Sequence, residues 1–226
     1  MRVVIISQAR MTSTRLPGKV LREVLGKPLL EYHIERLRQV KQADEVVIAT
    51  TTNDTDQPII ELCEQLGVAY YRGSEEDVLS RYYEAATHFG ADVVVRVTSD
   101  CPLIDPGVID QVIGLYINNR DKYDYVSNTL ERTYPRGLDT EVFSMAVLEK
   151  AYQEAREKPE REHATLFIYQ HPEQFRLANS SGTVDYSYHR WTVDTPEDFA
   201  LIKLVLQELY PINNYFTWLD VLVLLN

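Results

Sequence analysis

The chain has 226 residues, 45% of them hydrophobic, which is enough to bury one sizeable core and sits near the upper size for a single α/β domain. Its 34 acidic residues against 23 basic ones give a formal charge of -11, which opposes the phosphate neutralisation that nucleic-acid binding needs, so no nucleic-acid partner is expected. The opening apolar run is too short for a signal segment, no stretch approaches a membrane span, and two cysteines, Cys63 and Cys101, fit a reducing compartment, so a cytoplasmic protein without a membrane partner is expected.

Along the chain, β-branched runs alternate with helical patterns. Val3 to Ile6 reads as a strand, Leu29 to Leu37 as an amphipathic helix and Val46 to Ala49 as a strand. Ile59, Ile60, Leu62, Cys63 and Leu66 recur at helical spacing, which assigns Cys63 to the core. Val68 to Tyr71 is the next strand, a helix follows over about Glu75 to Phe89 with Tyr82 and Tyr83 packing, and Val93 to Val95 is another strand. This rhythm predicts an α/β fold with a mostly parallel central sheet and helices on both faces. Helix starts carry caps: Ser74 with Asp77 three residues on, Asp105 before Pro106, Thr195 before Pro196, and Thr217 with Asp220.

The second half is less regular. Tyr123 to Val126, Glu141 to Phe143, Phe175 to Ala178 and Arg190 to Val193 look like short strands separated by two helices. No linker, repeat or low-complexity segment interrupts them, so they are expected to extend the first sheet within one domain, residues 1–226. Trp218 to Leu225 is apolar nearly all round, and its surface must be buried against this subunit or another; core is the expectation.

In open α/β sheets ligands bind beyond the carboxyl ends of the strands, which directs attention to the loops after Ile6, Val97 and Val193. The first runs Gln8-Ala9-Arg10-Met11-Thr12-Ser13-Thr14-Arg15-Leu16-Pro17-Gly18-Lys19, with three cations and three hydroxyls, and its amides can hold phosphate oxygens. It is neither a Walker loop nor a GxGxxG turn, which argues against ATPase and dehydrogenase chemistry. In the second loop Asp105 is accounted for as a cap before Pro106, whereas Asp100 has no such task and stands where a carboxylate can hold Mg²⁺ against substrate phosphates. In the third, Thr195 and Asp198 form a cap, which leaves Asp194 free for a ligand.

Ala9-Arg10 followed by Ser13-Thr14-Arg15-Leu16-Pro17-Gly18-Lys19 resembles the opening motif of the CMP-sugar synthetases, among them CMP-KDO synthetase and the acylneuraminate cytidylyltransferases. The resemblance is nearest to their spore coat polysaccharide biosynthesis protein F branch. It continues through Arg72 to Tyr82, Arg96 to Leu103, Tyr134-Pro135-Arg136-Gly137-Leu138-Asp139 and Val193 to Asp198, and covers nearly the whole chain. It implies a nucleotide-diphospho-sugar transferase, or GT-A-like Rossmann-type, sandwich. It also implies Mg²⁺-dependent transfer of CMP from CTP to a sugar, a sugar acid by analogy, with release of pyrophosphate in surface polysaccharide synthesis, by a homodimer. Residues 1–120 would form the nucleotide half, and residues 121–226 the acceptor and dimerisation half.

On that resemblance Asp100 and Asp194 hold the metal and Lys19 joins them in catalysis, while Arg15 and Lys19 stabilise the leaving pyrophosphate. Gln8, Ala9, Arg10 and Ser13 contact the nucleotide, as do Ser74, Asp77 and Leu79 near the base. Arg96, Arg136, Asp139, Glu141 and His163 fall to the acceptor. Pro135 and Gly137 hold Arg136 on a defined turn, where its guanidinium either binds the acceptor's carboxylate or pairs across a dimer; the ligand role is preferred. Thr12 stands where the KDO enzymes have glycine, which argues against a backbone approach to phosphate that needs a missing Cβ, and Cys101 stands where they carry glutamate, which points to a different acceptor. A glycosyltransferase of related shape would commonly present Asp-x-Asp where this chain has Ser99-Asp100-Cys101, and a non-catalytic nucleotide-binding protein would not need both free aspartates.

Overall fold

A computed structural model describes residues 1–225. Its strands are β1 (Val3–Gln8), β2 (Glu23–Val24), β3 (Lys27–Pro28), β4 (Glu45–Thr51), β5 (Ala69–Gly73), β6 (Val93–Thr98), β7 (Tyr125–Ser127), β8 (Glu141–Ser144) and β9 (Leu177–Asn179). The helices are α1 (Leu29–Leu37), α2 (Gln57–Leu66), α3 (Val78–His88), α4 (Pro106–Asn118), α5 (Met145–Glu154), α6 (Lys158–Glu162), α7 (Leu166–Gln170), α8 (Pro196–Leu209) and α9 (Trp218–Leu225). Three helices, rather than the expected two, lie between β8 and β9.

Seven strands form one sheet in the order β5-β4-β1-β6-β8-β7-β9, while β2 and β3 make a small separate hairpin. Only β8 runs against its neighbours. Side chains alternate across the pleat, so β1 sends Val4 and Ile6 into the layer with α3 and α5, and Val3 and Ile5 into the layer with α4. A further apolar cluster joins α8 and α9 to Leu103, Leu138, Trp191 and Val193, which ties the last third of the chain to the loops at the sheet's carboxyl edge.

Three local expectations are corrected. The helix expected from Glu75 begins at Val78, because Asp77 accepts the Ser80 amide at 2.9 Å; Ser74 instead accepts the Asp77 amide one turn earlier. Arg190 to Val193 forms no strand, only a bridge between Arg136 and Arg190, since Pro135 in the facing segment has no N–H and Gly137 turns away at φ 109°. Helix α9 is buried on one side, at Val221 and Leu222, but Leu219 and Val223 on the other are 53% and 80% exposed. The caps at Asp105 and Thr195 form as expected.

Candidate active site

Chain order reverses at β1, which has β4 on one side and β6 on the other, and beyond Gln8 and Thr98 at this switch point lies a cavity of about 680 Å³. The basic loop after β1 forms much of its wall, through Gln8, Ala9, Arg10, Ser13, Arg15 and Lys19. Buried Asp56 fixes that loop by accepting the Met11 amide at 2.7 Å along with the hydroxyls of Thr50 and Thr51. The Met11 carbonyl takes the amides of Ser13 and Gly18, and Gly18 closes the loop at φ 66°. The Thr12 hydroxyl donates to Glu75, whose other oxygen accepts from Asn53, so this side chain fastens the loop to the turn before α3. The Thr12 hydrogen bond, with Asn53 and Arg10, holds the Glu75 carboxyl below the usual range.

At the centre, the Lys19 ammonium lies 3.0 Å from Asp100 and 2.8 Å from Asp194. Burial disfavours its charge, but the two carboxylates outweigh that and raise its pKa above the ordinary value. Asp194, expected to stand free, also meets Arg15 at 3.0 Å and Arg190 at 2.5 Å. Burial would raise its pKa, yet Lys19, Arg190 and Arg15 together hold it low. Thr195 caps α8 as expected, while three cations, Lys19, Arg15 and Arg190, converge on the neighbouring Asp194 side chain.

Behind Asp100 stands His33 of α1, fully buried. Its Nδ1 donates to the Cys101 carbonyl at 2.9 Å and its Nε2 accepts from the Ser7 hydroxyl at 2.8 Å, which fixes the neutral tautomer. Burial lowers its pKa to about 4. Cys101 itself is 2% exposed and does not line this cavity.

Ser74, Asp77 and Leu79 do not line the main cavity. Ser74 and Asp77 work in the turn, with Asp77 paired to Arg161 at 2.6 Å, and Leu79 is core. That wall presents Glu75, Glu76, Val78 and Arg81 instead. The Arg81 guanidinium is buried, donates to the Ser74 carbonyl at 2.6 Å, and keeps its Nε unpartnered among the described residues; burial lowers its pKa.

A second cavity of about 490 Å³ adjoins the first and shares Thr98 and His163 with it. Arg96, Asp139 and Glu141 line it, but Arg136 does not: its side chain is exposed, while its backbone bonds to His189 and Trp191. The turn is built as anticipated, and a Cβ at Gly137 would come within 2.8 Å of the Trp191 carbonyl. The guanidinium that this turn brings inside belongs to Arg132, which forms a two-armed pair with Asp139 at 2.6 and 2.7 Å. No motif singled out Arg132; its signal is an opposite charge seven residues on, across a proline-glycine turn that doubles the chain back. Thr129, Leu130, Thr165 and Tyr169 complete the missed lining.

Residues 3–215 match the profile of a family described as cytidylyltransferase. The chain is 35% identical to the spore coat polysaccharide biosynthesis protein SpsF of Bacillus subtilis, over 91% of this chain and 87% of that one. It is 36% identical to the 3-deoxy-manno-octulosonate cytidylyltransferase of Geobacter metallireducens, over half of this chain and 44% of that enzyme. Among solved structures, a cytidylyltransferase from Leptospira borgpetersenii superposes with a TM-score of 0.94 at 35% identity, covering 99% of this chain and 93% of that one.

Proposed function

The chain belongs to the cytidylyltransferase family and is a nucleotidyltransferase of the CMP-sugar synthetase group, and from this premise we propose that it transfers CMP from CTP to a sugar hydroxyl, with Mg²⁺, releasing pyrophosphate. The observation that carries this reading is the convergence of Asp100 and Asp194 on one cationic point, at 3.0 and 2.8 Å, beside a loop of phosphate-binding character. Hard carboxylate oxygens that already share a cation suit magnesium, and Asp100 and Asp194 would hold it. When bound, the metal offsets charge at the α-phosphate and acidifies the attacking hydroxyl.

The chain's own residues supply the rest of the chemistry. Lys19 and Arg15 face the same centre, so once phosphate oxygens compete for them they stabilise charge on the departing pyrophosphate. Arg10, Gln8, Ala9 and Ser13 orient the triphosphate, while the wall of Glu75, Val78 and Arg81 receives the base. His163 borders both cavities, which suits a group that positions the attacking hydroxyl. The acceptor belongs in the second cavity. Residues 1–120 serve the nucleotide and residues 121–226 the acceptor, although each cavity borrows from the other half. A homodimer in the cytoplasm is part of the same reading, as is a place in surface polysaccharide synthesis, the part that the likeness to SpsF supports.

A sugar acid as acceptor is favoured by the half-chain match to 3-deoxy-manno-octulosonate cytidylyltransferase, but it loses the support once expected from Arg136, which lies outside both cavities. The test of transfer is pyrophosphate release from each nucleoside triphosphate with a sugar panel, in wild type, Asp100→Asn and Asp194→Asn. CTP should be preferred, and each variant should lose roughly a hundredfold or more in turnover while keeping the wild-type circular dichroism. Full activity in both variants would remove the metal assignment.

A further inference from the structure

The two carboxylate oxygens of Asp194 keep different company. Oδ1 faces Lys19 at 2.8 Å and Arg15 at 3.0 Å, and both of these cations line the main cavity, where phosphate oxygens can claim them. Oδ2 meets Arg190 at 2.5 Å, and Arg190 lines neither of the two cavities, so a ligand there does not draw it away. Asp198 holds the Arg190 guanidinium from behind, with its two oxygens 3.3 and 3.4 Å away. Asp198 is itself fixed at the start of α8, where it accepts the amides of Asp194 and Thr195 at 2.9 and 3.0 Å. The backbone around Arg190 is anchored as well: the His189 carbonyl accepts the Arg136 amide at 3.0 Å, and the Trp191 amide donates to the Arg136 carbonyl at 2.7 Å. The side chains of Asp194 and Asp198 are each 15% exposed, which separates this arrangement from a freely solvated surface pair.

We infer that Arg190 is a positioning residue that reserves the outer oxygen of Asp194, so that this aspartate offers a metal one oxygen rather than two, and that it thereby sets a preference for Mg²⁺ over Ca²⁺. The inference rests on the proposed magnesium-dependent transfer at Asp100 and Asp194. Mg²⁺ demands octahedral geometry with oxygens at about 2 Å, and the narrow bite of a carboxylate bound through both oxygens does not fit it. Ca²⁺ takes more oxygens at longer range and accepts both from one carboxylate. A guanidinium already on Oδ2 opposes a second cation at the same atom, which removes the mode that Ca²⁺ would gain from and leaves the one that Mg²⁺ uses. A purely structural Arg190 would act otherwise: it would steady the first turn of α8 through Asp198 and have no bearing on which cation is held.

The experiment measures CTP affinity by calorimetry in excess Mg²⁺, in excess Ca²⁺ and in EDTA, for wild type, Arg190→Gln and Arg190→Lys, with thermal unfolding recorded alongside. Wild type should bind CTP more tightly with Mg²⁺ than with Ca²⁺. In Arg190→Gln, which removes the charge at Oδ2, the ratio of the two affinities should swing toward Ca²⁺ about tenfold or more, the size expected when the partner of a metal ligand is lost. Arg190→Lys keeps a cation near that oxygen and should retain most of the wild-type ratio. Should Arg190→Gln not fold, Asp198→Asn loosens the same guanidinium from behind while keeping an acceptor for the α8 cap, and its ratio should move the same way. An unchanged ratio in a folded variant, whatever its unfolding temperature, would overturn the role of Arg190 and leave the transfer reading standing. CTP binding by wild type that ignores EDTA would remove the metal itself, and the inference with it.

Discussion

His33 shows how one side chain can tune the site without touching it. It is buried, neutral and hydrogen-bonded at both ring nitrogens, with its pKa pressed from the usual 6.5 to about 4. The folded state therefore binds this proton less readily than the unfolded chain does. Its contribution to stability is full above pH 6.5 and declines as pH falls toward 4, by on the order of 3 kcal/mol. Urea unfolding of wild type at pH 7 and pH 4.5 should reveal that loss. The His33→Gln variant should lack this component of the slope, whatever its stability at pH 7; an unchanged slope would mean that the histidine is not held neutral. Asp100 is conspicuous in the sequence as a carboxylate beyond a strand with no cap to form. His33 is not, because an imidazole on an amphipathic helix reveals nothing of the carbonyl that will face it.

Two elements defined by local chemistry were legible almost to the residue. The helix expected over Leu29 to Leu37 occupies Leu29–Leu37, and the loop from Gln8 to Lys19 follows β1 as read. Elements defined by their neighbours were not. The pairing of Arg96 with Glu141 depends on the antiparallel register of β6 and β8, which no local pattern encodes. The turn from Tyr134 to Asp139 falls between these cases, since its backbone was foreseen but not which arginine it turns inward. Gly137 sits at φ 109° with the Trp191 carbonyl where a side chain would begin, so Gly137→Ala should cost about 2 kcal/mol or more in thermal unfolding. Because the same turn aligns Arg132 with Asp139, acceptor KM should rise while CTP affinity holds. A variant as stable as wild type would mean that the turn has room to relax.

At the scale of the whole molecule, Asp105 links regions far apart in the chain. One carboxylate oxygen caps α4 through the amides of Gly107 and Val108, and the other accepts the Trp218 amide at 2.9 Å, at the start of α9. Arg36 reinforces the link by donating to the carbonyls of Ile104 and Phe216. Each cap is worth about 1 kcal/mol, so Asp105→Ala should cost about 2 kcal/mol in urea unfolding and Asp105→Asn, which keeps one acceptor oxygen, about half as much. Equal losses would show that only one helix depends on this residue. The partner amide of Asp105 is 113 residues downstream. During synthesis the strands that flank the basic loop emerge early, but the segment bearing Asp100 gains its last fastening only when Trp218 has been added. A growing chain thus contains the residues of its sheet before Asp194, the second carboxylate, has been added, and a polypeptide stalled before Trp218 would lack the fastening that completes this loop.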